Sequence, residues 1–101
     1  MYYIEPKVHA VFIHVTDLKR SAAWYSKLLN LPFDEKEVSS PVYNLPVTGD
    51  TYVTLDDHAF DPNFSFQRSA HPAFNFLTDD LLTTYEKLVE DGVQVVREIE
   101  K

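Results

Sequence analysis

The first hydrophobic stretch of the chain is residues 8–15, where a period of two places Val11, Ile13 and Val15 on one face and Ala10, Phe12 and His14 on the other. This period of two is typical of a β-strand. From residue 18 the apolar residues recur at helical spacing up to residue 29, which predicts one amphipathic helix directly after the strand. A weaker copy of the same pattern returns at residues 71–93. A repeated strand-to-helix unit in so short a chain predicts two related modules.

The ends of both predicted helices carry suitable capping residues. Asp17 precedes the first helix as an N-cap, and Asn30 suits the left-handed residue that closes it. Asp79 or Asp80 caps the second helix, and Gly92 ends it. These signals fix the register of each helix relative to the strand before it.

The segments between the two copies read as further strands. Residues 33–38 contain alternating acids and are predicted to be a strand. Residues 42–47 contain a proline, which predicts an edge strand or an irregular one. Residues 51–56 follow a Gly-Asp turn and are predicted to be the next strand. Residues 57–70 form a long connection, which is more often functional or a linker than idle. A last strand begins at residue 93, so the predicted order is β-α-β-β-β, linker, β-α-β.

The alternation within each strand assigns side chains to two faces of a sheet. The face that should contact the helices carries Val11, Ile13 and Val15, then Val53 and Leu55, then Phe74 and Phe76. The opposite face carries Ala10, Phe12 and His14, then Tyr52, Thr54 and Asp56, then His71, Ala73 and Asn75. This second face mixes aromatic, imidazole and small polar groups.

Composition excludes several classes of function. The net charge of −7 argues against nucleic acid, because a phosphate backbone requires a basic surface. The absence of cysteine excludes disulfides, thiol nucleophiles and cysteine-ligated metals. Neither a signal peptide nor a membrane-spanning stretch is predicted, so we expect a soluble cytoplasmic protein without a membrane partner.

Two motifs resemble the vicinal oxygen chelate superfamily, which includes glyoxalase I, bleomycin resistance proteins and extradiol dioxygenases. The first is His14-Val-Thr-Asp-Leu followed by Ser21-x-x-Trp24-Tyr25-x-x-x-Leu29, and the second is His71-Pro-Ala-Phe with Leu88-x-x-x-Gly92-Val93. The resemblance implies an α+β fold of paired βαβββ modules, each an open, curved mixed sheet with its helix outside. One domain over residues 1–101 then comprises module one (8–56), the linker (57–70) and an incomplete module two (71–101). The resemblance also implies that Trp24 and Tyr25 pack in the core.

The resemblance implies where metal ligands would stand. The family's first ligand position is Ala10, which cannot coordinate a metal, and the second is Thr54, a poor substitute for glutamate. The third is His71, which fits, and the fourth would come from a strand beyond residue 101. Catalytic metal sites need about three protein ligands. We therefore expect no cofactor, with a divalent metal held in part by His71 as the alternative.

The expected ligand-binding residues lie on the face opposite the helices. They are Phe12, His14, Tyr52, Thr54, His71 and Asn75. His14 is either a hydrogen-bonded wall residue or a base. His9 should lie on the helix side or at the start of its strand. His58 follows two aspartates in a cluster of metal-like composition, although adjacent acids in a loop are usually solvated.

Two functions remain open from the sequence. The first is a small-molecule-binding protein of the bleomycin resistance type, with aromatic walls and an acidic surface that favours an aromatic or cationic ligand. The second is a metal-dependent lyase, isomerase or dioxygenase, completed by residues beyond the C-terminus or by a partner subunit. Phe60, Phe64 and Phe66 either staple the linker to the sheet or cap a cavity or dimer seam. A homodimer is expected whether or not further strands follow residue 101, because modules of this family commonly pair.

Overall fold

The computed structural model describes residues 2–66 and 74–94 of the chain. The chain divides into two compact units, Met1–Arg68 and Ser69–Lys101. The boundary falls within the predicted linker.

Unit 1 is a three-stranded mixed sheet covered by one helix. Its elements are β1 (Ala10–His14), α1 (Leu18–Leu28), a 3₁₀ turn (Glu35–Glu37), β2 (Val42–Leu45) and β3 (Tyr52–Asp56). The strand order is β1-β3-β2, with β3 parallel to β1 and antiparallel to β2. β3 is therefore the central strand, and β2 lies at an edge as its proline predicted.

The core of unit 1 lies between α1 and one face of the sheet. α1 contacts both β2 and β3. The buried apolar residues are Val15, Leu18, Ala22, Val38, Leu45, Val53 and Leu55. Val11 and Ile13, which the strand period predicts in the same layer, are only partly buried. The prediction that Val53 and Leu55 face the helix is thus confirmed. Their burial fixes which side of the sheet remains open.

The ends of α1 follow the sequence signals. The Asp17 side chain accepts a hydrogen bond of 3.2 Å from the Arg20 backbone N–H, which satisfies one donor of the first turn. Asn30 has a φ of 55°, the left-handed conformation predicted for it. Trp24, expected in the core, is instead about half exposed, with its ring edge-on to Tyr25 at 4.9 Å. Position 24 faces away from the sheet because it lies two residues past Ala22, which α1 buries fully.

The predicted strand at residues 33–38 is wrong. Asp34 accepts a hydrogen bond from the Lys36 backbone N–H at 3.0 Å, and a short 3₁₀ turn follows at Glu35–Glu37. A local side-chain acceptor competes with the strand ladder for these backbone groups. Of the predicted βαβββ module, the structure therefore has β1, α1 and two of the three later strands.

Unit 2 contains one helix, α2 (Leu81–Glu90), among its described residues. Of the two predicted caps, Asp80 is the N-cap, and Gly92 follows the helix with a φ of 80°. The predicted strand at residues 71–77 is wrong for its described part, because residues 74–77 form no strand. The last predicted strand begins at residue 93; residues 93 and 94 form no strand, and the rest of it lies outside the described residues.

Candidate functional site

The open face of unit 1, defined here as the side of the sheet opposite α1, brings β1 and β3 residues together in register. Ala10 lies opposite Tyr52, Phe12 opposite Thr54, and His14 opposite Asp56. Residues opposite each other on neighbouring strands point to the same side, so these six side chains share one surface. Four of the residues expected to bind a ligand therefore lie on the open face.

Two aromatic side chains dominate the middle and one end of the open face. Phe12 is 56% exposed and Tyr52 is 50% exposed, although both belong to strands. The His9 ring lies edge-on to the Tyr52 ring, with centroids 5.1 Å apart. His9 precedes β1, as expected of a residue at the strand's start. Exposed aromatic rings on adjacent strands provide an apolar surface that a flat ligand can contact.

Thr54 lies between these aromatic residues and is buried, although its side chain belongs to the open face. Its hydroxyl donates a hydrogen bond of 2.5 Å to Asn44 Oδ1 on β2, the residue paired with it. The hydroxyl proton is therefore committed to a neighbour on the sheet.

Two histidines meet at the carboxyl end of β1 and β3. His14 Nδ1 lies 2.6 Å from His58 Nε2, a hydrogen bond between two imidazoles. Asp56 Oδ1 accepts a hydrogen bond from the His58 backbone N–H at 2.8 Å, and Oδ2 lies 3.8 Å from His58 Nε2, beyond hydrogen-bonding distance. We call these three residues the His14–His58–Asp56 cluster.

The loop after β3 explains how His58 reaches His14. His58 has a φ of 58°, a left-handed conformation in which histidine is enriched several-fold among non-glycine residues. The chain then turns through hydrogen bonds from Asp61 N to His58 O at 3.0 Å and from Phe64 N to Asp61 O at 3.2 Å. These turns stack the Phe64 ring on the His58 ring, with centroids 3.5 Å apart and planes 10° from parallel. Phe64 is thus the linker aromatic that packs against the site, whereas Phe60 and Phe66 are exposed.

A second polar clamp holds the start of this loop. Ser40 Oγ donates a hydrogen bond of 2.7 Å to Asp57 Oδ2, and the Asp57 backbone N–H donates to Pro41 O at 2.9 Å. Asp57 therefore anchors the loop to the segment before β2, while Asp56 serves the histidines.

Sequence reasoning named His14 but treated His58 as a weak metal candidate, and it did not include Asn44. Asp56, two positions before His58, is the sequence signal for the turn that carries His58. An aspartate side chain often accepts a hydrogen bond from the backbone N–H two residues later, which makes a tight turn. Of the other expected residues, His71 lies outside the described residues. Asn75 is exposed in unit 2, where it belongs to no strand.

The described residues contain no group of three or more histidine, cysteine, aspartate or glutamate side chains that could hold a metal ion. The cluster itself has the geometry of a shared proton. With metal–nitrogen bonds of about 2.0–2.1 Å, nitrogens 2.6 Å apart would force an angle near ~80° at the metal, far from tetrahedral. The two rings are therefore joined by a hydrogen bond and do not form a metal site.

Two shallow clefts flank the Tyr52 end of the sheet. One has a volume of about 310 Å³ and includes Asn44, Thr51 and Tyr52 in its lining. The other has a volume of about 430 Å³ and is lined by residues from Pro32 to Pro46, among them Asn44. Both clefts are open to solvent, and neither is lined by Phe12 or His14.

Comparison with known families shows which superfamily the chain belongs to. The family model described as Glyoxalase/Bleomycin resistance protein/Dioxygenase superfamily matches residues 7–101. The chain belongs to this superfamily, as the motifs at His14–Leu29 and His71–Val93 indicated. Searches of curated proteins and of solved structures found no match to the chain.

Neither helix in the described part of the chain is long and apolar enough to cross a membrane.

Proposed function

We propose that the chain is a small-molecule-binding domain of the glyoxalase/bleomycin resistance type, and that the ligand lies on the open face of unit 1. The observation that carries the proposal is the pair of half-exposed aromatic residues, Phe12 and Tyr52, on strands held in register by β1–β3 pairing. Strand backbones fix the positions of both rings before a ligand arrives. Such preorganisation reduces the entropy cost of binding.

Binding is proposed to require no metal ion. Ala10 occupies the family's first ligand position and has no donor atom. Thr54 occupies the second, and its hydroxyl is hydrogen-bonded to Asn44. His71 remains the candidate if a metal is held at all.

The ligand is proposed to be a small aromatic or cationic molecule. Flat rings suit the Phe12 and Tyr52 surfaces. A protein with a net charge of −7 attracts cations over a distance of about a Debye length. The cytoplasm remains the proposed location, as the composition predicts.

Titration of the ¹⁵N-labelled full chain with benzamidine, an aromatic cation, tests the proposal. The backbone amides of Ala10, Phe12 and Tyr52 should shift in a saturable manner, and excess EDTA should leave the titration unchanged. Phe12→Ala and Tyr52→Ala should each weaken binding, whereas Tyr3→Ala, at a side chain 97% exposed, should have no effect. Shifts confined to other residues, or abolished by EDTA, would overturn the proposal.

The metal-dependent enzyme is the competing function, and elemental analysis separates the two. Purified protein without added metal should contain far less than one equivalent of any divalent transition metal and should still bind benzamidine. Stoichiometric metal in the purified protein would instead favour the enzyme.

A homodimer is proposed on the basis of the family and of the sheet's edges. β1 and β2 are the edge strands of the three-stranded sheet formed by the described residues. Edge strands present unpaired backbone groups that a second chain can satisfy. Light scattering on the full chain should give twice the mass of 11.7 kDa, and a monomeric mass at all accessible concentrations would refute the dimer.

A further inference from the structure

We propose that His14 presents its Nε2–H as a hydrogen-bond donor to an acceptor oxygen of the ligand, and that His58 and Asp56 set this orientation as positioning residues. The inference rests on the proposed function and narrows its ligand class to aromatic molecules that carry an uncharged acceptor oxygen, such as a carbonyl. None of the three residues occupies a metal position of the family.

The rings of His14 and His58 share one proton between them. At 2.6 Å, His14 Nδ1 and His58 Nε2 are within hydrogen-bonding distance, so one nitrogen carries the proton and the other accepts it. A neutral imidazole has one N–H and one lone pair. The tautomer of one ring therefore fixes the tautomer of the other.

The Asp56 carboxylate sets the direction of this hydrogen bond. Asp56 Oδ2 lies 3.8 Å from His58 Nε2. A lone pair on Nε2 would face the negative carboxylate, whereas an N–H at the same atom is attracted to it. The proton therefore belongs to His58 Nε2, which donates to His14 Nδ1. His14 must then carry its own proton on Nε2.

His58 and Asp56 are held in place by their neighbours, whereas His14 is exposed. His58 cannot readily turn its ring, because Phe64 stacks on it and its side chain is only 15% exposed. Asp56 is held as well, because its Oδ1 accepts the His58 backbone N–H. His14, in contrast, is exposed, and its Nε2 makes no hydrogen bond to the described residues. The cluster thus combines a fixed inner ring with an outer ring that has one donor to offer.

The His14 donor lies on the same face of the sheet as the aromatic side chain of Phe12. His14 and Phe12 lie two residues apart on β1 and share the open face, about 7 Å apart along the strand. A ring seated on Phe12 could therefore place an oxygen substituent toward His14. The donor and the apolar wall together define a ligand with a flat body and an acceptor oxygen at one end.

The direction of the hydrogen bond is tested by long-range ¹⁵N spectra of the full chain. The shared proton should be bonded to His58 Nε2, with a scalar coupling across the hydrogen bond to His14 Nδ1, and His14 Nε2 should be protonated. Asp56→Asn, which keeps the acceptor for the His58 backbone, should weaken this preference. A proton on His14 Nδ1, or no coupling between the rings, would overturn the inference.

The ligand class is tested with two matched probes. Benzamide offers an acceptor oxygen, whereas benzamidine has the same ring with donors only. His14→Phe should weaken benzamide binding by about fivefold, the equivalent of one hydrogen bond, and should change benzamidine binding by less than about twofold. Equal effects on both probes would overturn the inference. If neither probe binds, the proposed function fails, and the direction of the imidazole hydrogen bond is still decided by the spectra.

Discussion

Thr54 Oγ1 donates a hydrogen bond of 2.5 Å to Asn44 Oδ1, the residue directly opposite it in the β2–β3 pairing. The contact links the central strand to an edge strand on the open face. It also gives the Thr54 hydroxyl a hydrogen-bond partner within the sheet. Its energetic role can be measured directly.

Thr54→Val should lower the free energy of unfolding by about 1 kcal/mol, because the isosteric change removes one partly buried hydrogen bond. Thr54→Ser keeps the hydroxyl and serves to separate the hydrogen bond from the methyl group. Urea denaturation of the wild type and of both variants measures the difference in the free energy of unfolding. Equal stability of the wild type and Thr54→Val would show that the Asn44 contact contributes nothing.

Leu55→Ala should lower the free energy of unfolding much more, because Leu55 lies on the central strand and its side chain is fully buried on the α1 side of the sheet. Large-to-small substitutions at such positions cost about 2–5 kcal/mol. Val42→Ala, at an exposed position of β2, is the control and should cost less than about 1 kcal/mol. Leu55→Met, which keeps the volume, should stay folded if the alanine variant does not. A small loss in Leu55→Ala would contradict this description of the core.

The parts of the fold that the sequence predicts well are those where local pattern and burial agree. Asp17, Asn30 and the α1 stripe fix the first helix, and the alternation in β1 and β3 gives the correct faces. Residues 33–38 are also predicted to be a strand but form none, because Asp34 accepts a hydrogen bond from a nearby backbone N–H. Local side-chain hydrogen bonds of this kind are not visible in a hydrophobic pattern.

The candidate site shows the same division. Strand period places Phe12, His14 and Tyr52 on one surface from the sequence alone. The approach of His58 depends on a left-handed backbone and a turn closed by Asp56, which bring residues 44 positions apart into contact. Such a long-range contact has no periodic signature, so the pair could be found only in the structure.

Helix α2 should lose stability in acid through its N-cap. The hydrogen bond from the Thr83 backbone N–H, 3.0 Å from Asp80 Oδ1, holds the pKa of Asp80 below its ordinary value of 3.8. A lowered pKa in the folded state means that the stabilisation is present above pH 3.8 and is lost as the pH falls through the folded-state pKa. Asp80→Asn keeps a capping side chain but cannot titrate, so its helix signal should depend less on acid.

The matched control for this experiment is Asp79→Asn, which removes the same charge one residue before the N-cap. Amide spectra of α2, recorded from about pH 5 to about pH 2, measure the helix in each variant. The acid dependence should persist in Asp79→Asn and diminish in Asp80→Asn. Identical profiles for both variants would mean that Asp80 does not control the acid limb.

Tyr25 should produce the opposite dependence at alkaline pH. Its partial burial on α1 raises the pKa of the phenol above the ordinary value of 10.0, because the ionised form loses solvation. A raised pKa means that the folded state holds this proton more tightly than the unfolded chain. The contribution is therefore fully present below pH 10.0 and declines as the pH rises through the folded-state pKa.

Tyr25→Phe should flatten the alkaline decline, since phenylalanine keeps the ring but has no proton to lose. The measurement is the free energy of unfolding from about pH 8 to about pH 11, compared with wild type and with Tyr3→Phe. Tyr3 is 97% exposed, so its hydroxyl meets water in both states and its removal should leave the curve unchanged. An equal flattening in both variants would assign the effect to total charge. A flattening in Tyr25→Phe alone would assign the effect to the partial burial of this one phenol.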